Sequence, residues 1–161
     1  TMGSKTNATI AGDPVIRRDP MAMLPFCGYN IADYLTHWID MGSRIVNKPR
    51  IFHVNWFKKD NNGKYIWPGY KENIRIIEWI IKRVNNQVSA VETPIGYIPN
   101  IEDLNLELLN LSDNELKLLF NIDIDHWIKE FTVINDFFNK IHVNNTLQKQ
   151  YTFVKERLLA Q

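Results

Sequence analysis

Cysteine is almost missing from this chain. Cys27 is the only one in 161 residues, so no disulfide can close within it, and a reducing, cytoplasmic compartment is the expectation. Excess charge of either sign is missing too. Lys and Arg number 19 against 18 Asp and Glu, a net charge of +1, which excludes the strong global field of a nucleic-acid coat or a polybasic membrane binder. No apolar run approaches the roughly 18–20 residues of a membrane span. The opening T-M-G-S-K-T carries none of the hydrophobic stretch of a secretory leader. Neither nucleic acid nor membrane is therefore expected as a partner. The four histidines, His37, His53, His126 and His142, do not pair at metal-ligand spacing. No Ser-His-Asp or G-x-S-x-G pattern supports nucleophilic hydrolysis. Gly3-Ser4-Lys5-Thr6 looks like the tail of a phosphate-binding loop, but Ser4 separates the glycine from the lysine that such a loop joins directly.

What is present is globular. Hydrophobic residues make up 45% and charged residues 23% of the chain, enough for one domain with a real core. Charge is uneven along it. Residues 1–87 carry 13 basic and 7 acidic side chains, and residues 88–161 carry 6 and 11, so an anionic ligand would find its better host in the N-terminal half.

Residues 1–20, polar and punctuated by Gly and Pro, read as a loop. Residues 30–41 read as a helix capped by Asn30 and ended by Gly42, with Ile31, Tyr34, Leu35, Trp38 and Ile39 at helical spacing. Residues 50–57 are rich in β-branched and aromatic side chains and predict a strand, with Phe52, Val54 and Trp56 facing one way and His53, Asn55 and Phe57 the other. Residues 65–67 suffice only for an edge strand. Residues 73–84 predict a helix with Ile74, Ile77, Ile81 and Val84 on one stripe, and residues 93–99 are extended. The remainder is helical. Ser112 and Glu115 make a capping-box pattern. Trp127, Phe131, Ile134, Phe138 and Ile141 mark one face of a long helix, and Leu147, Tyr151, Val154 and Leu158 mark a last one.

Between Asn55 and Asn73 five aromatic side chains sit among turn residues and lysines. Aromatic faces on loops suit stacking on a planar ligand such as a purine, and an Asn amide offers donor and acceptor together for a base edge. From composition alone, the reading that comes first is that Trp56, Trp67 and Tyr65 are simply core.

Long runs of this sequence resemble the C-terminal part of the GTP-dependent phosphoenolpyruvate carboxykinases. They are R-R-D-P-M-A-M-L-P-F-C-G-Y-N at 17–30, I-F-H-V-N-W-F-K-K-D at 51–60, W-P-G at 67–69, E-N at 72–73 and T-P-I-G-Y-I-P at 93–99. The resemblance implies an enzyme that interconverts oxaloacetate and phosphoenolpyruvate with GTP and divalent manganese, a decarboxylating lyase of gluconeogenesis. It covers about the last quarter of such an enzyme. It therefore implies that the phosphate-binding loop, the manganese ligands and the substrate-binding arginines lie outside this segment, which would be inactive alone and would join the rest of the enzyme or self-associate. For the site, the resemblance implies a guanine pocket at 57–73. Phe57 would form one wall, Tyr65 and Tyr70 would stand at two family phenylalanines, Lys71 would replace a glycine, and Glu72 and Asn73 would close the motif, with Asn73 reading the base edge. Met2-Gly3-Ser4-Lys5-Thr6-Asn7 is similar to the start of the family's active-site lid, with Lys5 at a glutamate position.

The expected architecture is α+β and mainly helical, with a short strand or hairpin region, forming part of a nucleotide-binding lobe. Residues 1–20 would be a lid-like loop. Residues 21–161 would be the C-terminal portion of the lobe, with the guanine-site region at 57–73 and a helical tail at 100–161. Two other functions fit the residues: a stand-alone purine-nucleotide-binding module, and a helical interaction domain whose aromatics are all core.

Overall fold

Among the described residues five α-helices form where the apolar spacing and caps dictate them. In a computed structural model that describes residues 23–160, α1 is Ile31–Arg44, α2 Asn73–Val84, α3 Asp113–Phe120, α4 Ile124–Ile141 and α5 Asn145–Leu159. Asn30 caps α1 by accepting from the Ala32 amide at 3.0 Å. Gly42 does not end the helix, which runs on through Arg44 until the Ile45 amide closes onto the Met41 carbonyl. A glycine inside a helix costs only about 1 kcal/mol relative to alanine, and it stops one chiefly by taking the left-handed conformation just past the end. Ser112 and Glu115 make the reciprocal box that opens α3. The lid-like run at residues 2–7, and the loop assigned to 1–20, lie outside the described residues.

The chain divides into two compact units. One holds described residues 23–48 and 124–160, with α1, α4 and α5. Ile31, Ala32, Phe131, Ile141 and Leu158 are buried there. Tyr151 of α5 packs against Phe131 and Phe138 of α4, with ring centroids 5.3 and 6.2 Å away. Asn144 caps α5 through its oxygen and donates from Nδ2 to Thr36 of α1 at 2.9 Å. One side chain thus terminates one helix and ties it to another.

The other unit spans residues 49–123. Its buried residues are Ile66, Trp67, Trp79, Thr93, Pro94 and Leu104. The rings of Phe52 and Trp79 meet edge to face at 6.1 Å, and Trp56 lies 6.2 Å from Trp67. Its sheet is one antiparallel hairpin, β1 Val91–Thr93 and β2 Gly96–Ile98, in which Thr93 pairs with Gly96 across Pro94-Ile95. Gly96 sits at φ +132°, open to glycine but strained for other residues.

Two strand expectations are corrected here. Residues 50–57 form no strand. The segment keeps the expected alternation of burial, with Phe52, Val54 and Trp56 half-buried and His53, Asn55 and Phe57 exposed, but the chain turns at residues 56–57 and no described strand pairs with it. Side-chain period alone does not make a ladder. Residues 65–67 keep only one isolated bridge, Lys59 to Tyr65. The stripe on α2 exists, but it faces outward. Ile74, Ile77, Ile81 and Val84 are 45% to 63% exposed, while Trp79 is buried. A helix this rich in isoleucine is apolar on more than one side, and its bulkiest ring took the core.

Candidate functional site

The region from 55 to 73 is shaped by short-range hydrogen bonds. The Asn55 carbonyl oxygen Oδ1 accepts from the Phe57 amide at 2.9 Å, turning the chain at Trp56. Asp60 Oδ1 accepts from the Asn62 and Lys64 amides, each at 2.9 Å, and Gly63 takes φ +79°. The Ile66 amide then donates to the Lys58 carbonyl at 3.0 Å. This small reversal brings Phe57 beside Tyr65, ring centroids 6.0 Å apart and steeply inclined. Lys59 Nζ lies 4.8 Å from the Tyr65 ring centre.

Both ends of the loop are tied to α3. Lys58 Nζ donates to the carbonyls of Asn121 at 2.8 Å and Leu119 at 3.2 Å, capping the C-terminal end of that helix. Burial holds the Lys58 ammonium below its ordinary pKa, and the charge of Asp123 opposes the shift. Lys64 lies 3.7 Å from Glu115. Glu115 is pulled below the ordinary carboxyl range mainly by its hydrogen bonds with Ser112, and in smaller part by Lys64.

After Trp67, Pro68 and Gly69 lead into a 3-10 turn, Tyr70–Glu72, which runs directly into α2. Gly69 sits at φ +131°, so an L side chain there would be strained. Tyr70 is almost wholly exposed and Lys71 is exposed. Glu72 is committed elsewhere: its Oε2 accepts from Arg75 Nε at 2.7 Å. Asn73 opens α2, and its Oδ1 accepts from the Trp67 indole Nε1 at 2.9 Å.

Of the six residues expected at the site, Phe57 and Tyr65 are in ring contact and substantially exposed. Tyr70 and Lys71 present free surface, Asn73 is half-buried at the helix entrance, and Glu72 pairs with Arg75. Sequence reasoning passed over Arg75, Lys58 and the polar end of Trp67. A tryptophan in an apolar run reads as core, and Trp67 is core, yet its N–H still needs a partner. Among the described residues no group of three or more His, Cys, Asp or Glu is placed to hold a metal ion, so the residues here do not fit a manganese site. No helix among them is long and apolar enough to cross a membrane.

An α+β segment with exposed aromatic rings and an oriented amide at a helix entrance defines a candidate site for a planar ligand. The family follows from comparison with known proteins. The model of the phosphoenolpyruvate carboxykinase C-terminal P-loop domain matches residues 1–157, and the chain belongs to that family. It is 49% identical over 160 residues to a phosphoenolpyruvate carboxykinase [GTP] of Thermoplasma volcanium, covering 98% of this chain and 27% of the relative. The corresponding protein of Chlamydia caviae is 48% identical over 140 residues, 85% of this chain and 23% of the relative. That of Anaeromyxobacter dehalogenans is 43% identical over 162 residues, 100% of this chain and 27% of the relative. The chain thus spans about a quarter of the length of the curated relatives it matches.

Proposed function

We propose that this chain is the guanine-binding C-terminal segment of a cytoplasmic, GTP-dependent phosphoenolpyruvate carboxykinase, which converts oxaloacetate and GTP to phosphoenolpyruvate, GDP and CO2. The family match across residues 1–157 carries this reading. The exposure of Phe57, Tyr65 and Tyr70 supports the base site. Manganese, when bound by residues outside this chain, supplies positive charge at the phosphates during transfer. Residues 57–73 hold the base. The rings of Phe57, Tyr65 and Tyr70 offer faces and edges for stacking, Lys71 adds positive charge beside Tyr70, and Asn73 reads the base edge. Glu72 contributes through Arg75 by fixing the turn that carries Tyr70.

The observation that favours a purine site over an all-core reading is where the rings sit. Phe57 is 57% and Tyr70 92% exposed, a poor use of aromatic area unless something covers it. In the complete enzyme, Phe57→Ala is expected to weaken GTP and ATP alike, by about 1–3 kcal/mol for a lost stacking partner. Asn73→Ala is expected to weaken GTP more than ATP and shrink the preference. Unchanged affinities for both nucleotides in Phe57→Ala would return the aromatics to a purely structural role. The 161-residue chain alone is expected to show no oxaloacetate-dependent turnover of GTP, and measurable turnover by the pure chain would contradict the assignment of phosphate and metal chemistry to other parts of the enzyme.

A further inference from the structure

We propose that Trp67 is a positioning residue for base specificity: its indole N–H holds the Asn73 amide in one orientation, so that the NH2 of Asn73 is the group aimed away from Trp67 to meet the base. This rests on the reading that Asn73 faces the purine edge. An asparagine amide is ambiguous, because a half-turn exchanges its donor and acceptor. The ambiguity is removed here, because an indole N–H can only donate. The atom 2.9 Å from Trp67 Nε1 is therefore the Asn73 carbonyl oxygen. The Asn73 Nδ2 diverges from that oxygen and has no protein partner among the described residues.

The lock is strong because Trp67 cannot easily yield. Its side chain is only 8% exposed and packs beside Trp56 at 6.2 Å. An indole N–H stranded at that depth would lose a hydrogen bond that water could not readily replace. Turning the amide over would set NH2 against N–H, two donors facing each other. Guanine carries an acceptor oxygen at C6, and adenine carries an amino donor there. A fixed NH2 on Asn73 pairs with the first and opposes the second. A freely turning amide would serve both. The preference for a 6-oxopurine thus comes from a residue that never touches the base.

The test is Trp67→Phe in the complete enzyme, which keeps an aromatic ring and removes the donor. The ratio of kcat/KM for GTP over ATP is expected to fall by about tenfold or more, through KM rather than kcat for GTP, while the melting temperature falls modestly because the buried ring is smaller. Adding Asn73→Ala to Trp67→Phe is expected to lower the ratio no further, since both act through one amide. A ratio unchanged in Trp67→Phe but collapsed in Asn73→Ala overturns the positioning role while leaving base reading by Asn73 intact. A ratio unchanged in Asn73→Ala removes both. If Trp67→Phe does not fold, side-chain NMR of the unaltered protein decides. GTP is expected to shift the Asn73 NH2 resonances and leave the Trp67 indole N–H in place. A large shift of that indole proton on GTP binding, as when its bond breaks, overturns the proposal.

Discussion

Arg75 is where stability and the candidate site meet, and Arg75→Met is the perturbation to make. The Arg75 Nε donates to Glu72 Oε2 at 2.7 Å, with the two side chains 16% and 18% exposed. Its Nη1 also donates to the carbonyl oxygen of Asn105 and to Asn105 Oδ1 at 3.2 Å. The guanidinium therefore clamps the turn before α2 to the segment beyond the hairpin. Methionine keeps most of the buried stem and deletes the charge. Glu72 is then left as a largely buried carboxylate without its counter-ion. Breaking a fully buried pair costs about 3–5 kcal/mol, and an exposed pair is worth about 0–1 kcal/mol. At these exposures the expected loss lies between, about 2–3 kcal/mol. Glu72→Gln added to Arg75→Met removes the stranded charge, so the double variant is expected to recover part of the loss, with a coupling of about 1–2 kcal/mol. Urea unfolding followed by tryptophan fluorescence reads this, since Trp56, Trp67 and Trp79 all lie in the 49–123 unit. Because the same turn carries Tyr70, Arg75→Met in the complete enzyme should weaken GTP and ATP together without changing their ratio. A loss below about 0.5 kcal/mol, with additive single effects, would mean that the pair behaves as a hydrated surface contact and would refute the reasoning.

The Lys58 pKa lies below its ordinary value of 10.5 because burial disfavours the charge. The unfolded chain therefore binds more protons between the two values, and stability is expected to rise with pH across the window that ends near 10.5. Lys58→Met should flatten that rise in a comparison of urea midpoints; identical slopes in both proteins would count against the assignment. Glu115 is lowered as well, but by Ser112 hydrogen bonds that favour its charged form. Its contribution is present above the ordinary carboxyl value of 4.5 and is lost as pH falls through the lower folded value. Ser112→Ala should remove most of that acid dependence and fray α3, read by circular dichroism between pH 5 and 3. The outward stripe of α2 predicts self-association of the isolated chain. Light scattering of Ile77→Glu/Ile81→Glu should show a smaller mass than the parent chain, and equal masses would place the association elsewhere.

How much of this was legible in the sequence depends on whether the signal was local. The helix at 73–84 was readable to the residue, as was the Ser112 cap, because caps and 3.6-residue spacing are properties of neighbours along the chain. The strand at 50–57 failed for the complementary reason. Its residues have the right propensity and alternate as a strand would, but pairing needs a partner that no local pattern supplies. The real hairpin was hidden in T-P-I-G, where a two-residue turn with glycine after it joins strands of only three residues each. The family motifs brought Phe57, Tyr65, Tyr70, Lys71, Glu72 and Asn73 to notice but could not divide their labour. Glu72 and Asn73 are adjacent in sequence and carry similar polar groups, yet one spends its oxygen on Arg75 and the other on Trp67. Those partners lie three residues ahead and six behind, on opposite sides of the helix entrance in sequence. For Glu72 the pairing neutralises a carboxylate that would repel a nucleotide's phosphates. For Asn73 it occupies one lone pair of the oxygen and fixes the direction of the NH2 donor. The same kind of contact thus silences one candidate ligand and gives the other a direction.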